Sequence, residues 1–69
     1  MRTYGKLREK VRDVFGSQAA FAEAMGEARK TIALKLNGGA PWKDFEIEGC
    51  CQVLGIPKEK IPEYFFYDE

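Results

Sequence analysis

Nucleophilic and metal-binding side chains are few in this 69-residue sequence, and their spacing excludes most of the chemistry they could perform. There is no histidine, and the two cysteines, Cys50 and Cys51, are adjacent. On a helix, neighbouring side chains point about 100° apart, too divergent to close a disulfide readily, so reduced and largely buried thiols are expected. Without a histidine or a second cysteine pair, the ligands of a structural zinc site cannot be assembled. No general base stands beside either thiol, and no glycine-rich phosphate loop is present. The expectation is a protein that is not an enzyme and takes no cofactor. What remains is binding chemistry, carried mainly by lysine and arginine.

Eleven basic and eleven acidic side chains cancel, which taken alone argues against a partner as negative as nucleic acid. Their order along the chain argues the other way. Residues 1–43 hold nine basic side chains against four acidic, a balance of +5, and residues 44–69 hold two against seven, a balance of −5. A molecule polarised in this way can offer one face to a polyanion and turn the other aside. The composition, 45% hydrophobic and 13% aromatic, suffices for one small core, so residues 1–69 are expected to form a single domain. Its apolar runs are only a few residues long, against the roughly 20 that a membrane span needs. Behind Met1-Arg2-Thr3-Tyr4-Gly5-Lys6 there is no signal-peptide core, so a cytoplasmic protein with no membrane partner is expected.

The elements that must position these charges follow from apolar spacing and glycine punctuation. Tyr4, Leu7, Val11 and Val14 mark one face of a first helix, capped by Thr3 and ended by Gly16. Its outer face carries Lys6, Arg8, Lys10 and Arg12. Ser17 is a favourable N-cap for a second short helix running to Met25, and Gly26 breaks it where a positive φ turns the chain. A third helix is expected over Arg29 to Leu36, with Ala28, Ile32 and Leu36 inward and Asn37-Gly38-Gly39 as its stop. After the turn at Ala40-Pro41, a fourth helix begins near Asp44 with Ile47, Cys50, Cys51 and Leu54 on its inner face, and Gly55 ends it. A turn and one short helix with Pro62 in its first turn complete the chain. No segment alternates with period 2, so the fold class expected is all-α with five helices.

Helix, glycine-centred turn and helix is the layout that lets a second helix lie in the DNA major groove while the first crosses the backbone. The stretch from Ser17 to Gly38, SQAAFAEAMGEARKTIALKLNG, resembles the helix-turn-helix of the Cro and repressor type. Tyr4-Gly5-Lys6-Leu7, Pro41-Trp42-Lys43-Asp44, Leu54-Gly55-Ile56-Pro57 and the terminal Tyr-Phe-Phe extend the resemblance to a small phage Cro-like group across nearly the whole chain. The resemblance implies a compact five-helix, lambda-repressor-like domain that regulates transcription by binding double-stranded DNA, with the recognition helix from about Ala28 to Leu36. Ala22 then sits at the closest helix crossing, and Phe21, Met25 and Ile32 lock the crossing angle.

With that resemblance, base reading falls to Arg29, Lys30, Ala33 and Leu34. Arginine or lysine donates to guanine O6 and N7, and an exposed leucine packs on a thymine methyl. Gln18, Asn37 and Lys43 match positions that the family uses on phosphate, and Thr31 either joins them or bonds its own backbone. Each assignment has a plainer counterpart: a solvated helix face for Arg29 and Lys30, core packing for Leu34, local capping for Gln18 and Asn37. Trp42 either stacks on nucleic acid or plugs the core. Among Tyr64, Phe65, Phe66 and Tyr67, one or two rings cover the first helix and the others are left for a dimer contact. Such a dimer, formed in solution or only on DNA, would set its recognition helices about 34 Å apart on a pseudo-palindromic operator, with no small-molecule ligand.

Two positions depart from the family pattern. Glu27 and Lys35 stand where apolar residues are usual, with Leu36 available to replace Lys35 in the core. Ala28 also lacks the hydroxyl of a favourable N-cap. Glu27, the zero net charge and the aromatic tail favour a rival reading. In it the same scaffold is a protein-interaction module, an antirepressor or adaptor that does not bind DNA.

Overall fold

The computed structural model describes residues 4–66. Its elements are α1 (Gly5–Phe15), α2 (Gln18–Met25), α3 (Arg29–Leu36), α4 (Asp44–Leu54) and α5 (Ile61–Phe65), with one 3₁₀ turn, Lys58–Lys60, leading into α5. The fold is all-α with five α-helices, and there is no strand among the described residues.

The helix boundaries follow local chemistry. Ser17 takes an extended conformation and its hydroxyl accepts from the Ala20 amide at 3.1 Å, which satisfies one of the free donors of the first turn of α2. At the other end Gly26 has φ +70°; its amide donates to the Glu23 carbonyl, and the Glu27 amide reaches back to Ala22. The same paired closure ends α3, where Gly38 (φ +79°) donates to Lys35 and Gly39 to Leu34. Left-handed geometry at these positions is what glycine accepts without a steric penalty. The backbone amide of Lys43 donates to Glu46 Oε1 at 2.8 Å and so ties off the start of α4.

Leu7, Phe21, Ile32, Leu36 and Cys50 are fully enclosed, with Val11, Ala22, Ile47, Leu54, Ile56 and Phe65 completing the core. α2 sits in the middle of this packing, against α1, α3 and α4, and α5 lies across α1. Small Ala22 allows the close approach of the helices around α2, and Phe15 packs at a tilt on Phe21 with ring centroids 5.7 Å apart. Met25 lies at the edge of this core, half-buried.

Several expectations need correction. Thr3 lies outside the described residues, and the N-cap of α1 is Tyr4, in the left-handed region at φ +55° without a side-chain cap bond. Val14 is 47% exposed, because the first helix turns Leu7, Val11 and Phe15 toward the core instead. Ala28 is the exposed N-cap of α3 and does not join its inner face. Cys51 is half-buried, whereas Cys50 is enclosed, and both thiols are free. Leu36 does not replace Lys35 in the core; both are buried.

Candidate functional site

The geometry of α3 decides what its residues can do. The helix packs mainly on α2 through Ile32 and Leu36, and two polar ties hold it to its other neighbours. From α1, the Arg8 guanidinium donates to the Leu36 carbonyl at 3.4 Å. From α4, the Glu46 carboxylate accepts a hydrogen bond from Lys35 Nζ, and Glu27 Oε1 lies 3.8 Å from the same nitrogen. Lys35 is only 8% exposed, and its ammonium stands 5.7 Å from the centroid of the Trp42 ring. Burial pushes the Glu46 carboxyl upward, but the hydrogen bonds from Lys35 and the Lys43 amide, with the positive charge of Lys35, outweigh it and hold the group below the usual glutamate range.

Trp42 is therefore part of the packing and does not offer its face to a ligand. It is half-buried, edge-on to Tyr4 at 6.5 Å and to Phe65 at 5.6 Å between ring centroids. Its indole Nε1 is enclosed without a hydrogen-bond partner. Phe65 is buried by the same contact and is unavailable to a second protomer. Tyr64 is half-buried, Phe66 is exposed, and Tyr67 lies outside the described residues.

The residues expected to read bases do share the outward side of α3. Arg29, Lys30 and Leu34 are exposed and Ala33 is half-buried. Leu34, 52% exposed, does not enter the core; it packs on the chain at Gly39, where a Cβ would come within 2.5 Å of its Cδ1. Of the residues expected to hold phosphate, Asn37 is the exposed C-cap of α3, Lys43 the exposed N-cap of α4, and Thr31 is half-buried. Gln18 opens α2 and lines a cleft with Arg8, Arg12 and Arg29.

Two features escaped the sequence reading. The Lys35–Glu46 pair joins residues eleven apart across an irregular loop, and no local periodicity signals it. Phe45, beside Glu46 on α4, is 68% exposed and forms a shallow groove with Met25, Gly49 and Val53. Its neighbours in sequence, Asp44 and Glu46, are the acidic residues of the first turn of α4, a placement that favours the helix dipole. Among the described residues no helix is long and apolar enough to cross a membrane, and no cluster of histidine, cysteine and carboxylate side chains could hold a metal ion.

Comparison with known proteins changes the functional reading. A family profile described as "Protein of unknown function (DUF739)" matches residues 2–68, and the chain belongs to that family. The chain is also similar to the modulator of repression (MOR) of the temperate bacteriophage TP901-1 from Lactococcus lactis, whose solution structure is known. Identity is 42% and the TM-score 0.84, over 94% of this chain and 88% of that one. No curated protein sequence matches. The resemblance to Cro-like and repressor-like DNA-binding proteins is thereby corrected: the likeness runs to a protein that modulates repression, not to an operator-binding repressor. The all-α class and the phage connection are retained, and the DNA-reading function is not. The assignment of Arg29, Lys30, Ala33 and Leu34 to bases, and of Gln18, Thr31, Asn37 and Lys43 to phosphates, loses its premise.

Proposed function

We propose that this member of the DUF739 family modulates repression by binding a protein, the repressor of the phage or prophage that encodes it, and not by reading an operator itself. The observation that carries the reading is the 42% identity, over 94% of the chain, to a protein named as a modulator of repression. Features of the molecule support it. Lys35, which would add charge late in the helix, is held inward by Glu46 and Glu27. Leu34, Phe45 and Phe66 are exposed, and large apolar side chains of this kind anchor protein partners.

The reading assigns no catalysis. Burial pushes the Cys50 thiol up to about 12, which keeps it protonated and a poor nucleophile at neutral pH. It calls for no cofactor, membrane or small-molecule ligand, and a second copy of the chain, needed for a palindromic operator, is not required. Its place of action is the cytoplasm of a bacterial host, where repressor and operator meet.

The test is a fluorescence-anisotropy titration with that repressor and its labelled operator duplex. The chain is expected to bind the repressor and change its occupancy of the duplex, while leaving the duplex unbound when repressor is omitted. Recovery of one preferred site by the chain alone from a random duplex library would overturn the reading.

A further inference from the structure

We propose that the cleft between α1, the start of α2 and the start of α3 grips the protein partner, and that it takes the carboxylates of an acidic segment on that partner. The inference rests on the protein-binding reading above and names the chemistry of its contact.

The cleft measures about 400 Å³, and Arg8, Arg12 and Arg29 line it together with Ser17, Gln18 and Ala19; no acidic side chain does. Two of the cations elsewhere are paired within the described residues. Lys6 has Glu63 at 3.7 Å, and Lys35 is held between Glu46 and Glu27. Arg12 and Arg29, both exposed, have no ion pair among the described residues. Arg8 is half-buried and spends one donor on the Leu36 carbonyl, which fixes its orientation and leaves most of its N–H groups free. Three like charges from two helices thus converge on a concavity without a countercharge, an arrangement that costs Coulomb energy until an anion arrives.

All three cations are arginines, whose planar forks match carboxylates and phosphates alike, so it is the protein-binding reading above that makes the anion a carboxylate. At the start of α2 the Ser17 hydroxyl is already engaged by Ala20, so the amides of Gln18 and Ala19 are the first-turn donors left without an intrahelical acceptor. Farther along α3, outside the cleft, Lys30 and Leu34 stand one turn apart, and exposed Leu34 offers an apolar anchor on the same helix as Arg29. Arginine with a neighbouring apolar side chain is the composition of a protein-binding hot spot. Duplex DNA, a far denser polyanion than an acidic segment, is disfavoured by a net charge of zero.

The experiment compares the chain with Arg12→Glu/Arg29→Glu and with Lys58→Glu/Lys60→Glu, a control carrying the same change of charge. Circular dichroism melts establish that each variant is folded. Titrated with the phage repressor, the Arg12→Glu/Arg29→Glu variant is expected to bind at least about tenfold more weakly than wild type, and the control within about twofold. If wild type binds the repressor and both variants bind it equally well, the cleft assignment falls while the protein-binding reading stands. If wild type does not bind the repressor, that reading falls, and a hexaglutamate peptide decides the cleft by amide chemical shifts. Shifts confined to residues 16–19 and 29–30 would retain an acidic-peptide site; none, or equal shifts with inorganic phosphate, would overturn it. Tighter binding of a random duplex than of hexaglutamate, lost in the arginine variant, would also overturn it in favour of nucleic acid.

Discussion

Leu34 and Lys35 are neighbours on one helix, and their environments are the reverse of their chemistry. The leucine is largely in solvent and the lysine is enclosed. The two faces of α3 therefore teach different lessons. On the inner face a charge is tolerated because Glu46 reaches it from α4, with Glu27 close behind, so the ammonium exchanges water for carboxylates. On the outer face no such compensation exists for Leu34, which gains little for the fold by being apolar. A buried charge kept by a dedicated partner is a feature of architecture, whereas an exposed leucine on the helix that also presents Arg29 and Lys30 is a feature of recognition.

The sharpest way to break this contrast is to remove the inner cation alone. Lys35→Met leaves Glu46 buried with only the Lys43 amide and a nearby like charge at Glu27, and is expected to destabilise the fold by about 3–5 kcal/mol in urea denaturation. Adding Glu46→Leu should recover most of that loss, to within about 1 kcal/mol of wild type or above it, because two apolar side chains then fill the space. A smaller effect is expected from acid. Glu46 has its carboxyl held below the ordinary glutamate range, so its contribution to stability is complete above that range and disappears as pH falls through the folded-state value. Urea midpoints measured from neutral pH downward should fall more steeply for wild type than for Lys35→Met/Glu46→Leu. The outer face should show the opposite profile. Leu34→Ser is expected to cost only about 1 kcal/mol of stability, for its partial contact at Gly39, yet to weaken repressor binding in the anisotropy titration. A large stability loss there would show Leu34 to be structural and erase the distinction between the faces.

Much of the fold was legible because its signals are local. Ser17 as a cap, Gly26 and Gly38 as left-handed stops, and the apolar spacing of Ile47, Cys50 and Leu54 each act within a turn or two of themselves. Lys35 was not legible in this way. Its partner comes from another helix, and Ile32 and Leu36 account for an inner face of α3 by spacing alone, so nothing local calls for a third, charged member. The outward placement of Arg29, Lys30 and Leu34 could be read from helical spacing, but their function could not. A scaffold of this shape presents the same helix to DNA or to a protein, and the choice between them lies in a few side chains such as Glu27 and in the company the cations keep.

The lone tryptophan has a practical consequence. Trp42 touches Tyr4 at the entry to α1, the Lys35 ammonium of α3 and Phe65 of α5, so a single indole senses whether both flanks of the molecule are seated on its middle. With its Nε1 enclosed and lacking an acceptor, it should emit to the blue of a hydrated indole, and any binding event that loosens α5 or tilts α3 would move that emission without a label.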